Sequence, residues 1–208
     1  MKCAKFYFTS FIKIMDNINF KAKYISNKYY VKAWSQATNT YRNKKVRLVQ
    51  LDYQSDNDYA ALKTLSKLWS GEDNFIDAIL AKFSYVLHKK DAPKSDIYLL
   101  TSQKKAFKQL DAKKILGIAE VTTIGKTSSF DYLQSRPDST FGKQFRKFKG
   151  IGDVLTKFVT KNFGRNNLYG RTIEDKIEFY EKYGFVVTQR NLINPLIKYK
   201  PEALKNNL

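Results

Sequence analysis

The spacing of apolar side chains predicts an α/β chain from residue 46 onward. Residues 46–53 alternate apolar and polar positions, as a half-buried strand does. Two amphipathic helices are expected next, the second over residues 73–87. Strands are then predicted over residues 95–102, 114–124 and 129–135, the last ending before Pro137.

The remainder of the chain continues the alternation of helices and strands. After the glycines at 150 and 152, apolar residues repeat at helical spacing up to Phe163. A strand over residues 166–173, a helix over 174–184 and strands over 185–189 and 195–199 follow. The order is strand, two helices, three strands, helix, strand, helix and two strands. It predicts an α/β fold built on a mixed, mostly antiparallel sheet flanked by helices.

The first 45 residues differ from the rest in composition. They contain ten Lys or Arg residues and one acidic residue, Asp16, with aromatic side chains interspersed throughout. Such a segment either covers an apolar surface of the main domain or stacks on nucleic-acid bases, and the sequence leaves both open. A third alternative is that residues 1–15 form a helix lying on a membrane surface. We therefore divide the chain into a basic, aromatic-rich extension, 1–45, and a domain, 46–208.

Charge and composition narrow the classes of function. In the 208 residues, 38 Lys and Arg against 19 Asp and Glu give a formal charge of +19, which attracts polyanions. The excess of lysine also fits an AT-rich genome, so it does not by itself indicate a partner. One Cys and one His exclude an intrachain disulfide and a structural zinc site among these residues. No stretch of about 18 apolar residues occurs, so we expect a cytoplasmic protein without a transmembrane segment.

The most specific local motif is Gly150-Ile151-Gly152, at the junction of a basic loop and an amphipathic helix. The first turn of a helix presents unpaired N–H groups, and glycines let a phosphate approach the backbone closely. The motif is not a P-loop, because no Gly-Lys-Ser/Thr follows. It is not the dinucleotide signature either, because Leu155 stands where the third glycine belongs.

Three segments of the chain, a strand, a glycine loop and the end of a late helix, carry a set of residues in a recognisable order. These residues are Phe130, Leu133, Ser135 and Pro137 in the strand, Lys147, Gly150 and Gly152 in the loop, and Phe179, Tyr180, Lys182, Gly184 and Phe185 at the end of the helix. With them the chain resembles the GNAT superfamily of acyl-CoA-dependent N-acetyltransferases, in its fourth strand, its pyrophosphate loop and the end of its late helix. The resemblance covers roughly residues 46–200 and implies the GNAT acyl-CoA N-acyltransferase fold.

The resemblance implies acetyl-CoA as the cofactor and a role for each matched position. Backbone groups of Leu133, Gln134 and Ser135 would bind the pantetheine arm. The pyrophosphate would bind the loop of Lys147, Phe148, Lys149, Gly150, Ile151 and Gly152. Tyr180 would be the general acid for the departing thiolate, since a phenol stays protonated at neutral pH. Glu120 and Asp131 are the candidate bases, acting through water.

Departures from the family pattern affect the cofactor site. Lys147 replaces the usual Gln or Arg, so a cation is kept but its bidentate geometry is lost. Ile173 stands where many members have an Asn that binds pantetheine, and the stretch between Pro137 and Gly150 is about seven residues longer than usual.

Two functions are therefore expected. The first is acetyl transfer from acetyl-CoA to a primary amine by direct attack in a ternary complex, with an acidic peptide, an RNA or a ribosome-associated molecule favoured as acceptor by charge. The alternative is a catalytically impaired scaffold that binds RNA or another polyanion through its basic surface. The sequence leaves the oligomeric state open.

Overall fold

The computed structural model describes residues 22–69, 75–88, 95–104, 109–140, 145–190 and 193–207. Within these ranges the chain forms one nine-stranded sheet with four α-helices. The strands are β1 (Lys23–Ser35), β2 (Thr40–Gln50), β3 (Ser95–Thr101), β4 (Ile115–Ile124), β5 (Thr127–Ser135), β6 (Phe148–Lys149), β7 (Asn167–Arg171), β8 (Phe185–Gln189) and β9 (Leu196–Tyr199). The helices are α1 (Asp56–Leu68), α2 (Phe75–His88), α3 (Ile151–Phe163) and α4 (Ile177–Glu181). Short 3-10 helices cover Ala112–Lys114, Pro137–Ser139, Glu174–Lys176 and Pro201–Asn207.

The sheet has the strand order β6-β1-β2-β3-β4-β5-β7-β9-β8. Neighbouring strands are antiparallel except β5 and β7, which run parallel because a crossover containing α3 connects them. The predicted fold class, an α/β fold with a mixed, mostly antiparallel sheet flanked by helices, is confirmed. The predicted order of elements is also confirmed from β2 onward, except that the two-residue strand β6 was not predicted.

The edge of the sheet beyond β2 was not predicted. Strand β1 pairs with β2 along nearly its whole length, and the two-residue strand β6 pairs with β1 on its other side. Irregular pairing between Tyr24 and Tyr29 interrupts the alternation that would have marked β1 as a strand. The first strand expected at 46–53 in fact runs over Thr40–Gln50, so residue 45 lies inside β2. Residues 1–21 lie outside the described part of the chain.

Each face of the sheet carries its own apolar core. Helix α3 packs on one face against residues such as Leu116 and Phe130. Helices α1 and α2 cover the other face around Leu62, Phe83 and Ile118. In the described residues, no helix combines the length and apolar character needed to span a membrane.

Helix α3 lies unusually close to β4 at Gly117. A Cβ added at this glycine would lie 2.4 Å from Cγ2 of Ile151 and 2.9 Å from Cδ1 of Leu155. Both side chains are buried and come from the first two turns of α3. Gly117 therefore sets the depth at which the start of this helix rests on the sheet.

We expect Gly117→Ala to destabilise the protein by about 1–3 kcal/mol, because the added methyl group overpacks the contact with Ile151. Urea denaturation midpoints would measure the loss. The matched control is the double variant with Ile151→Ala, which removes the clashing Cγ2. The combined loss should be smaller than the sum of the two single losses by about 1 kcal/mol, and strict additivity would show that the two residues are not in direct contact.

Candidate functional site

Strand β5 separates from its parallel neighbour halfway along its length. The pairing with β7 extends from Thr127 to Phe130, whereas the pairing with β4 continues to Ser135. Among the described residues, no strand pairs with the β7-facing edge of β5 after Phe130. The predicted pantetheine-binding residues Leu133, Gln134 and Ser135 lie on this open stretch, where backbone N–H and C=O groups can pair with a ligand.

A bulge marks the point where the two strands diverge. Glu120 of β4 pairs with Tyr132 and the next residue, Val121, pairs with Phe130, so Asp131 is an additional residue in β5. A bulge bends its strand and re-aims the residues around it. The predicted candidate base Asp131 therefore lies where β5 turns away from β7.

The N-terminus of α3 meets this open edge. Gly150 adopts a φ of +85°, in the left-handed region that favours glycine, and precedes the first helical residue. No side chain caps the helix, so the amides of Ile151, Gly152 and Asp153 have no partner within the helix. A Cβ added at Gly152 would lie 3.9 Å from Cδ2 of Leu133, which shows how close the helix start is to β5.

Gly152 also lies close to α4. An added Cβ would lie 3.2 Å from Cζ of Phe179, closer than an ordinary carbon–carbon contact. The second glycine of the motif thus leaves a small gap between Leu133 and Phe179, called the cradle below, which the side chain of any larger residue would fill. The predicted residues Gly150, Ile151 and Gly152 are brought together with Leu133–Ser135 at one place.

The basic part of the predicted loop is held by the chain itself. The amide of Lys147 donates to the carbonyl of Asp138 at 2.9 Å, and the amide of Phe148 donates to Oγ of Ser139 at 3.1 Å. Phe148 is buried, whereas the side chain of Lys147 is exposed. For these two residues the available contact with an anion is therefore the Lys147 ammonium group rather than a backbone amide.

The β1–β2 hairpin fixes the same loop from outside. The amide of Trp34 donates to the carbonyl of Lys147 at 3.0 Å, and the Tyr41 hydroxyl donates to the carbonyl of Arg146 at 2.6 Å. Nζ of Lys149 lies 3.9 Å from the centre of the Tyr41 ring, a cation–π contact. The sequence did not predict this support, because it joins positions more than a hundred residues apart.

Tyr180 lies in an aromatic cluster beside β5. Its ring centre is 5.0 Å from that of Phe179, 5.7 Å from that of Phe185 and 6.2 Å from that of Phe130. Burial raises the pKa of Tyr180 to about 12. The phenol therefore keeps its proton at neutral pH, as the predicted general acid requires.

The candidate base Glu120 lies on the opposite face of the sheet from Tyr180. It is fully buried and pairs with Nζ of Lys82, on α2, at 3.0 Å. Burial raises the pKa of the Glu120 carboxyl, and the charge and hydrogen bonds of Lys82 oppose that rise. Nζ of Lys82 also lies 5.1 Å from the centre of the Tyr132 ring, which belongs to the bulged part of β5.

Asp131 lies on the same face as Glu120, where its carboxylate accepts a hydrogen bond from the Thr122 hydroxyl. The structure thus places the candidate acid on the α3 face and both candidate bases on the face of α1 and α2. Lys82 was not predicted to take part. The sequence signal available was a lone lysine within the apolar run of α2. No group of three potential metal ligands occurs among the residues that the structure describes.

Asp153 joins α3 to the end of α4. Its Oδ1 accepts a hydrogen bond from Nζ of Lys182 at 2.6 Å and another from the Tyr183 hydroxyl. Burial alone would raise the pKa of Asp153, but these two hydrogen bonds and the Lys182 charge hold it below its ordinary value. This contact fixes the helix that carries Tyr180 relative to the N-terminus of α3.

Comparison with known proteins supports the fold. No protein-family model matches the chain, and no curated protein matches its sequence. A solved structure from Desulfovibrio desulfuricans, assigned to the GNAT family of acetyltransferases, matches with a TM-score of 0.50 and 14% identity, covering 74% of this chain and 96% of that one. The PaiA N-acetyltransferase of Thermoplasma acidophilum, solved with coenzyme A, matches with a TM-score of 0.48 and 14% identity, covering 74% and 98%. The ribosomal-protein-S18-alanine N-acetyltransferase of Escherichia coli matches with a TM-score of 0.47 and 13% identity, covering 74% and 90%.

The strand order, the separation of β5 from β7 after Phe130 and the match to the Desulfovibrio desulfuricans structure all indicate the same fold. The chain has the GNAT acyl-CoA N-acyltransferase fold. The predicted resemblance to the GNAT superfamily is confirmed at the level of the fold.

We expect Asp153→Asn to lower the free energy of unfolding at pH 7 by about 1 kcal/mol, because Asp153 and Lys182 are both partly exposed and solvent weakens their ion pair. A carboxyl whose pKa is depressed in the folded state stabilises the protein above its unfolded pKa, near 3.8. The difference from the wild type should therefore be complete at pH 6 and disappear as the pH falls below about 4.

Urea titrations at several pH values would measure this difference, with the exposed Asp175→Asn as a charge-matched control. A loss of stability that stays constant down to pH 3 would contradict the assignment, because it would not depend on the ionised carboxylate.

Proposed function

We propose that the chain is an acyl-CoA-dependent N-acetyltransferase that uses acetyl-CoA to acetylate a primary amine by direct attack in a ternary complex. The observation that carries the proposal is the meeting of two sets of backbone groups, the amides at the start of α3 and the edge of β5 beyond Phe130. The uncapped amides at the start of α3 lie against the part of β5 that has left β7. A cofactor with an anionic pyrophosphate and an amide-containing pantetheine arm is complementary to both sets.

The cofactor would bind with its pyrophosphate at Gly150, Ile151 and Gly152. The side chains of Lys147 and Lys149 would add charge-assisted contacts. The pantetheine arm would run along Leu133, Gln134 and Ser135 and pair with their backbone. The absence of a Cβ at Gly152 fits this assignment, because it lets the start of α3 lie close to Leu133 and Phe179, beside the open edge of β5.

The acetyl thioester would supply a carbonyl carbon that forms a bond with the amine nitrogen while the carbon–sulfur bond breaks. A backbone N–H at the bulge near Asp131 would stabilise charge on the carbonyl oxygen. Tyr180, which retains its proton at neutral pH, would donate it to the departing sulfur. The proton lost by the amine would pass through water to Glu120 or Asp131.

The position of these groups suggests the direction from which the acceptor arrives. Tyr180 belongs to the core on the α3 face, whereas Glu120 lies opposite Ile97 of β3, in the core beneath α1 and α2. The amine would therefore approach from the face of α1 and α2. The charge of +19 disfavours polyamines and favours an acidic peptide, an RNA or a ribosome-associated acceptor.

The cofactor site is tested by calorimetric titration of acetyl-CoA at physiological salt, with inorganic pyrophosphate as the comparison ligand. We expect Gly152→Asp to weaken acetyl-CoA binding at least tenfold, because it fills the cradle and places an anion beside the phosphates. The matched control is Gly125→Asp in the β4–β5 turn. An added Cβ there meets no atom within 4 Å, and Asp tolerates its φ of +58°.

The control should bind within twofold of the wild type. If the wild type binds acetyl-CoA no better than pyrophosphate, or if both variants lose affinity equally, the transferase proposal fails. The alternative, a GNAT-like scaffold that binds polyanions without catalysing transfer, would then account for the basic surface.

The role of Tyr180 is tested by its Phe variant. We expect Tyr180→Phe to lower the rate of acetyl transfer by about 100-fold or more, with acetyl-CoA affinity nearly unchanged, because the ring packing remains and only the proton donor is lost. Labelled acetyl transfer to a panel of peptide α-amines, lysine side chains and amines carried on RNA would measure the rate. Tyr199→Phe, in the same aromatic cluster, should keep full activity. Equal activity of the two variants would exclude Tyr180 as the acid.

A further inference from the structure

The β1–β2 hairpin extends beyond the strand it joins. Strand β2 pairs with β3 only from Arg47 to Gln50, so most of the hairpin projects past β3. One face of this projecting part contributes Tyr29, Val31 and Val46 to the core beneath α3. The other face, which we call the outer face, consists of the alternate residues.

Strand pairing places specific residues on the outer face. Tyr30 lies opposite Lys45 across the hairpin, and Lys32 lies opposite Asn43. Lys32 also pairs with Lys149 of β6. Because directly paired residues of antiparallel strands project to the same side, these five side chains share one surface. It leads directly to Gly150, next to the start of α3.

The outer face combines exposed cations with an exposed aromatic ring. Tyr30 is 56% exposed, and Lys32, Asn43 and Lys45 are exposed. No acidic residue occurs between residues 17 and 51, so the hairpin itself supplies no anion to neutralise these lysines. Next to them, Nζ of Lys149 lies on the Tyr41 ring, and the Trp34 ring meets Tyr41 edge-on at 5.1 Å.

We propose that the outer face of the β1–β2 hairpin is a binding surface for single-stranded nucleic acid. A base stacks on Tyr30, and successive phosphates contact Lys32 and Lys45. Flat sheet surfaces that alternate aromatic rings with cations suit unpaired bases, which offer both a ring to stack and a charge to neutralise. This binding surface does not depend on acetyl transfer.

The composition of the face favours nucleic acid over a membrane. Surfaces that insert into lipid expose large aliphatic or Phe and Trp side chains. The exposed ring among the lysines and Asn43 is that of Tyr30, and the one exposed phenylalanine near the described part of this face, Phe145, packs edge-on against Trp34 at its far end. Tyrosine retains a polar hydroxyl while offering its ring for stacking, which is the behaviour of a base-binding surface rather than a membrane-inserting one.

The test is fluorescence anisotropy of the full chain with labelled 12-nucleotide RNA and DNA strands over a range of salt concentrations. Tyr30→Ala should weaken binding about tenfold, and Tyr30→Phe, which keeps the ring, should stay within twofold of the wild type. The pair Lys32→Gln and Lys45→Gln should reduce the steepness of log K against log salt by about 1.4, roughly 0.7 for each phosphate that is no longer neutralised. The charge-matched pair Lys63→Gln and Lys126→Gln should leave that slope unchanged.

The RNA and DNA arms show which of the two strands the surface prefers, and tighter binding of either one supports the proposal. Three results would overturn it. The first is equal affinity of Tyr30→Ala and the wild type for both strands. The second is displacement of the strand by saturating CoA, which would assign the surface to the nucleotide of the cofactor. The third is Tyr30-dependent binding to vesicles containing phosphatidylserine that neither strand competes away.

Discussion

The close contact between α3 and β4 at Gly117 determines the geometry of the candidate site. Because Gly117 has no Cβ, the side chains of Ile151 and Leu155 can pack directly against the backbone of β4. Ser135, at the end of β5, pairs with the same glycine. One small residue thus brings the uncapped helix start and the open edge of β5 together.

The remaining contacts hold this arrangement from three directions. Asp153 ties α3 to the end of α4 through Lys182 and Tyr183, which places Tyr180 beside β5. The hairpin holds the loop before Gly150 through Trp34 and Tyr41. On the other face, the Lys82–Glu120 pair joins α2 to β4 next to the bulge. Each contact links elements distant in sequence, so the site depends on the complete fold.

The sequence predicts the parts of this structure that local patterns encode. From β2 onward the period of the apolar positions indicates each helix and strand except the two-residue β6, and the glycine motif with the Phe179–Phe185 segment indicates the fold. Strand β1 was not predicted, because irregular pairing around Ser26 interrupts the alternation of apolar and polar residues, and because its exposed face carries Lys and Tyr. The sequence also did not predict the bulge at Asp131 or the pairing of Glu120 with Lys82. A bulge has no fixed signature, and an ion pair between positions 38 residues apart is decided by packing.

If the open edge of β5 and the start of α3 bind one cofactor, acetyl-CoA should protect the backbone amides of both. Hydrogen–deuterium exchange with and without acetyl-CoA measures this protection. Slower exchange at both Leu133–Ser135 and Ile151–Asp153, with no change in β8, is the predicted result. Protection confined to the lysines of the hairpin and loop, with both of these segments exchanging as in the free protein, would contradict it.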